Sequence, residues 1–109
     1  MAKELLSGIH RAFIPAILPQ KGGRLTMVIV KGILEKIEFK IEEFEEFGLI
    51  ENPHTGALTW DRKKIKKEKE FDLKKSETEV MKDAVKKLDE TNEWSRAITD
   101  TCLRIEKLR

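Results

Sequence analysis

The apolar residues between positions 27 and 47 recur with the period of an α-helix and constrain the fold more than any other feature of the chain. They form a stripe that one helical face can bury, with the members Val30, Ile33, Leu34, Ile37 and Ile41, continued by Phe44 and Phe47. Thr26 is placed to cap the start of this helical region. Because one helix of about 21 residues is long for a small domain, we expect two helices that break near Lys40 rather than one.

The N-terminal segment also shows helical spacing and predicts a helix from Lys3 to about Phe13. Pro15 and Pro19 then disfavour helix at the residues that precede them. Residues 20–23, which include two consecutive glycines, predict a loop before the next helix.

Beyond Gly48 the pattern changes from helical to alternating. Residues 52–56 are a dense turn signal between the apolar pair at 49–50 and residues 57–60, and this arrangement predicts a β-hairpin. Residues 70–73 alternate again and predict a third short strand.

The C-terminal third predicts two further helices. Ser76 and Glu79 have the spacing of a capping box ahead of an apolar stripe, and the last helix starts near Ser95 with Cys102 on its apolar side. We therefore expect a single α+β domain over residues 1–109. It is helix-rich, with three N-terminal helices, a small antiparallel β-hairpin or sheet and a C-terminal helical hairpin.

The charges are almost balanced, with 22 basic and 20 acidic residues, but they are unevenly distributed. Residues 35–51 contain seven acids and two lysines, whereas residues 62–69 contain six basic residues and one acid. A chain so close to neutrality is not generally attracted to nucleic acid. The dipolar layout suits a protein partner or self-association, and homo-oligomers are left open.

No set of residues predicts catalysis or metal binding. His10 and His54 lie far apart, and the chain has one cysteine, so a structural zinc site lacks its four ligands. Cys102 falls on a predicted core stripe, where a free cysteine behaves as a small hydrophobic residue. We expect a protein that is not an enzyme and that takes no metal or cofactor.

The same single cysteine rules out an internal disulfide, and with it a secreted disulfide scaffold. The longest uncharged run, residues 12–20, is far shorter than the about 20 residues that span a bilayer. Glu4, His10 and Arg11 interrupt the N-terminal apolar stretch, which argues against a signal peptide. The expected location is the cytoplasm, without membrane contact.

The candidate partner-binding residues are the two charged regions and the tryptophan beside one of them. Tryptophan is enriched among the residues that dominate binding energy, and acidic residues on an exposed helix face are available to a partner. The candidates are Trp60, Arg62, Lys63, Lys64, Lys66 and Lys67 on the basic side, and Glu42, Glu43 and Glu46 on the acidic side.

A winged helix is the main alternative, because three helices followed by a hairpin is the order of that nucleic-acid-binding module. Its recognition helix would fall on residues 40–47, which contain four glutamates and one lysine. Side chains that read DNA are mostly Arg, Lys, Asn and Gln, so nucleic acid is disfavoured as the partner.

Several short stretches resemble a group of short bacteriophage- and prophage-encoded proteins that have no assigned activity. The resemblance is carried by residues 17–22, by Phe39 with the Glu42-Glu43 pair and residues 47–49, by Trp60 after Gly56, and by residues 85–89. It implies a phage or prophage origin and action inside the bacterial host cell, and it carries over no functional residue. The leading prediction is a non-enzymatic protein that contacts a host or viral protein, with a structural virion component as a further alternative.

Overall fold

A computed structural model describes residues 2–108, and in that range the chain forms five α-helices, two 3-10 turns and four β-strands. The chain is therefore a small, helix-rich α+β domain, as the sequence predicts. In chain order the elements are β1 Ala2–Ser7, α1 Gly8–Ile17, α2 Arg24–Ile37, α3 Ile41–Glu46, β2 Ile50–Glu51, β3 Leu58–Thr59, a 3-10 turn Lys64–Lys66, β4 Glu68–Leu73, α4 Lys75–Glu90, a 3-10 turn Arg96–Ile98 and α5 Thr99–Glu106.

The strands form two separate antiparallel pairs rather than one sheet. β2 and β3 pair across the predicted turn, which confirms the hairpin. β4 confirms the third strand, but it pairs with β1 and not with the hairpin, so that Leu6 lies opposite Lys69. Residues 3–7 are thus strand where helix was predicted. The helical spacing misled because the partner that makes them a strand lies more than sixty residues away in the chain.

The boundaries of several helices differ from the predictions. α1 begins only at Gly8, where Ser7 caps it, and it continues through Pro15 to Ile17. Proline inside a helix costs about 3 kcal/mol, and complete or nearly complete burial of Ile14 and Ile17 offsets that cost here. α2 begins at Arg24 rather than after Thr26.

The predicted break near Lys40 is confirmed, because α2 ends at Ile37 and α3 begins at Ile41. The cap of α4 differs from the predicted one: Glu77, not Glu79, accepts a backbone N–H, that of Lys74, at 2.8 Å. The helix consequently starts two residues earlier than a Ser76 cap implies.

Two apolar clusters form the interior. The larger lies among α1, α2, α4, α5 and the β1–β4 pair, and its buried members include Cys102, which confirms the core position predicted for this thiol. Burial raises the pKa of Cys102 and so disfavours the thiolate. The smaller cluster consists of Phe47, Leu49 and Ile65, with Trp60 packed at its edge, and it anchors the hairpin and the segment that follows it.

Gly8 is required where α1 meets the 3-10 turn of residues 64–66. A Cβ atom on Gly8 would lie 2.6 Å from Cδ1 and 2.7 Å from the carbonyl oxygen of Ile65, and the second atom belongs to the backbone. The buried Ile65 side chain can therefore approach α1 only at a glycine.

We expect Gly8→Ala to lower the free energy of unfolding by about 1–3 kcal/mol, because the added methyl overpacks this contact. Urea denaturation followed by circular dichroism measures the loss. Gly22→Ala is the matched control, since its methyl would lie 3.8 Å from the Met27 sulfur, an ordinary contact. Equal stability of the two variants would contradict the assigned close packing.

Candidate functional site

Residues 61–67 form a strongly basic turn on the surface, which we call the basic turn. Asp61 organises it: its Oδ1 accepts the backbone N–H groups of Lys63 and Lys64 at 2.9 and 3.0 Å, and its carbonyl accepts the N–H of Ile65 at 3.0 Å. These bonds hold the pKa of the Asp61 carboxyl below its usual value. Five basic side chains on the turn are exposed: Arg62, Lys63, Lys64, Lys66 and Lys67.

The basic turn is fixed to the rest of the molecule at two points. Ile65 is completely buried in the smaller apolar cluster. The N–H of Asp61 donates to the carbonyl of Phe47 at 3.1 Å. Beside that bond Gly48 has a φ of +64°, and a Cβ atom there would lie 2.9 Å from Cβ of Asp61, so this junction also requires glycine.

Trp60 immediately precedes the basic turn and is half-buried. Its ring lies edge-on to that of Phe13, with 6.0 Å between the centroids, a favourable geometry for two aromatic rings. Trp60 therefore anchors the edge of the smaller apolar cluster. The same position leaves part of its ring available beside the basic side chains.

Helix α3 carries the predicted acidic residues, but it differs from its prediction because Glu43 does not face water. It is 5% exposed and accepts two hydrogen bonds from Arg11, at 2.6 and 2.7 Å, and one from Lys69 at 3.0 Å. The break at residues 38–40 is the physical reason: it reorients α3, so the helical stripe of α2 does not continue through it. Glu43 is thus a structural residue, and the prediction that it belongs to the binding surface is wrong.

The two predicted charged surfaces are also partly paired with each other. Glu46 forms ion pairs with Lys67 at 2.7 Å and with Lys69 at 3.0 Å. Because Lys69 also bonds Glu43, the residues Glu43, Glu46 and Lys67 belong to one intramolecular network. Among residues 2–108, Arg62, Lys63, Lys64 and Lys66 have no ion pair, and neither does Glu42.

Arg11 is the centre of this network, and sequence reasoning missed it. Besides Glu43, its guanidinium donates to the carbonyls of Ile37 and Glu38 at 2.9 and 2.8 Å. It also lies 4.5 Å from the centroid of the Phe39 ring, within the range of a cation–π contact. The available signal was a single arginine among the apolar residues of the first helix, since a buried charge requires a partner.

The hydrogen bonds from Arg11 hold the pKa of Glu43 at about 2, well below its usual value of 4.5. Around this pair lies a cleft of about 440 Å³ between α2, α3 and β4. Its walls carry both signs of charge, with the cations Lys36, Lys40 and Lys69 and the carboxylates Glu42, Glu70 and Asp72, so it favours no single kind of ion.

Among residues 2–108, neither histidine takes part in this ion-pair network. His10 is half-buried and caps α1 by accepting the N–H of Ser7 on Nδ1 at 3.2 Å, and burial lowers its pKa. His54 lies on the exposed hairpin turn. Within residues 2–108 no group of three or more His, Cys, Asp or Glu is arranged to hold a metal ion. In the same range no helix has the length and apolar character needed to cross a bilayer.

Comparisons with known proteins do not extend this description: no family model, no curated protein and no solved structure matches the chain.

We expect Arg11→Ala to lower the free energy of unfolding by about 3–5 kcal/mol, because it leaves the Glu43 carboxylate buried without its main partner. The double variant Arg11→Met, Glu43→Leu removes both charges and is expected to be more stable than Arg11→Ala. Arg62→Ala, at an exposed position, is the control and changes stability by less than about 0.5 kcal/mol. Urea denaturation measures the unfolding free energy of all three variants. Equal losses of stability for Arg11→Ala and Arg62→Ala would contradict the assigned network.

We expect stability to fall in acid because of Glu43. Its pKa is lowered on folding, so its contribution, about 3 kcal/mol, is fully present above pH 4.5 and is lost as the pH falls toward about 2. Glu43→Gln should flatten the dependence of the unfolding free energy on pH in this window. Glu45→Gln, on the exposed side of the same helix, should keep the wild-type slope.

Proposed function

We propose that the chain is a non-enzymatic binding protein that contacts an acidic surface of a partner protein through the basic turn and Trp60. The observation that carries this proposal is the display of four basic side chains without an ion pair, within the part of the chain that the structure describes, on a turn fixed by Asp61 and Ile65. A fixed array loses less conformational freedom on binding than a flexible one does. The adjacent half-buried aromatic ring adds apolar contact area.

The charges next to the basic turn favour a compact acidic patch over a long polyanion. β4 follows the turn directly, and Glu68, Glu70 and Asp72 lie exposed on its outer face. A nucleic-acid strand that continued past the turn would meet these carboxylates, and the repulsion would oppose binding. A protein surface whose acidic residues are limited to the area of the turn would avoid them.

The resemblance to short phage and prophage proteins supports placing this contact inside a bacterial host cell, with a host or viral protein as the partner. Masking or bridging of that partner is the proposed mode of action. The buried thiol and the separated histidines support a role without catalysis, since nucleophilic and general-base chemistry require such groups to meet in one site.

Nucleic-acid binding is the second candidate, and the specific observation in its favour is the position of the basic turn directly after a β-hairpin. This candidate makes a different prediction. An affinity for duplex DNA that falls steeply with salt would support nucleic-acid binding, whereas no binding to duplex DNA at low salt would exclude it.

We expect the triple variant Arg62→Glu, Lys63→Glu, Lys64→Glu to lose its partner, because the reversed charges repel an acidic surface. Affinity purification of tagged protein from infected or lysogenic cells, followed by quantitative mass spectrometry, compares it with the wild type. The control reverses three exposed basic residues elsewhere, at Lys75, Lys86 and Arg96. The proposal predicts that partner recovery falls at least tenfold for the first variant and stays unchanged for the control, and equal recovery from both would refute it.

A further inference from the structure

The outer face of α2 carries an exposed apolar pair with basic neighbours. Leu25 is 74% exposed and Val28 is 62% exposed, and their spacing of three residues puts them side by side on the helix. Arg24 and Lys31 lie exposed on the same face, and Lys21 lies exposed in the loop before the helix. We call these five residues the α2 patch.

The outer face of α3 carries the same combination with the opposite charge. Ile41 is 85% exposed and Phe44 is 39% exposed, again three residues apart. Glu42 and Glu45 are exposed between and beside them. The chain turns back at the end of α3, where the N–H of Leu49 donates to the carbonyl of Phe44, and then presents Ile50, 68% exposed. We call Ile41, Glu42, Phe44, Glu45 and Ile50 the α3 patch.

The charges of both patches are available. In the part of the chain that the structure describes, the three cations of the α2 patch form no ion pair, and neither do Glu42 and Glu45. The inward side of α3 is already occupied, because Glu43 binds Arg11. Each patch therefore has an apolar centre with charged neighbours, which is the composition of a protein interface rather than of an ordinary solvated face.

The two patches lie at opposite ends of α2. From Val28 to Ile37 the helix rises about 14 Å, and α3 begins only after three further residues. The α2 patch of one copy can instead meet the α3 patch of another, which pairs apolar residues with apolar residues and cations with carboxylates.

From this complementarity we infer that the chain associates with itself head to tail, the α2 patch of one copy on the α3 patch of the next. Such a heterologous contact leaves one patch of each kind open in every dimer, so it continues into a closed ring or an open filament. The basic turn lies outside both patches, so assembly and partner binding are separate properties of the surface. Each patch has five residues, far fewer than the about 20–30 a side of a standard interface, so the association is expected to be weak.

The test uses two variants that each lose one patch: Leu25→Gln with Val28→Gln, and Ile41→Gln with Phe44→Gln. Sedimentation velocity over a hundredfold range of concentration is expected to show wild-type protein growing beyond the dimer, less so at high salt. Each variant alone should associate at least tenfold more weakly. An equimolar mixture of the two should form a one-to-one dimer and nothing larger, because only one intact pair of patches remains.

Leu103→Gln is the matched control, since Leu103 is an exposed apolar residue, 47% accessible, on α5 and outside both patches. It should associate as the wild type does, and circular dichroism should show all variants folded. If Phe44→Gln impairs folding, Ile41→Gln alone takes its place. The inference is overturned if the wild type stays monomeric throughout, if only one of the two patch variants weakens association, or if the mixture stays monomeric. The charge-reversed basic turn should assemble normally, so failure of the proposed partner contact would leave this result unaffected.

Discussion

The contact between Arg11 and Glu43 is the constraint on which much of the surface depends. One guanidinium binds the carboxylate of α3 and two carbonyls at the end of α2, and it also stacks against an aromatic ring. A buried charge without a partner is strongly unfavourable. The direction of α1, the end of α2 and the rotation of α3 must therefore all place their groups within hydrogen-bonding distance of the same guanidinium. That rotation decides which glutamates turn inward and which side chains of α3 remain in solvent.

These ion pairs reduce the charge that the acidic and basic segments can offer to a partner. The acidic and basic segments look like two opposed surfaces in the sequence, yet Glu43, Glu46, Lys67 and Lys69 form ion pairs with one another. The charged surface that remains unpaired is smaller and more defined. It consists of a basic turn held by Asp61 and a short helix face where carboxylates alternate with apolar residues. Binding is therefore expected at limited patches rather than across broad charged faces.

The fold was predictable where the deciding interactions are local, and less so where they are distant. The hairpin, the break near Lys40, α4 and the core position of Cys102 all follow from periodicity and turn chemistry, and the structure confirms them. Residues 3–7 were assigned to a helix because their strand depends on β4. The candidate site followed the same rule: the charge of the basic turn was visible in the sequence, whereas the burial of Glu43 depends on Arg11, 32 residues away.

The pairing of β1 with β4 also governs how the chain can fold as it is made. The first strand has no sheet partner until residues 68–73 have left the ribosome, and the carbonyl of Leu5 receives its hydrogen bond from Arg104, 99 positions later. Contacts of such long sequence separation slow folding, because the intervening loop must close before they form. Until that partner emerges, the N-terminal segment remains unpaired, a state that is open to chaperones and to aggregation.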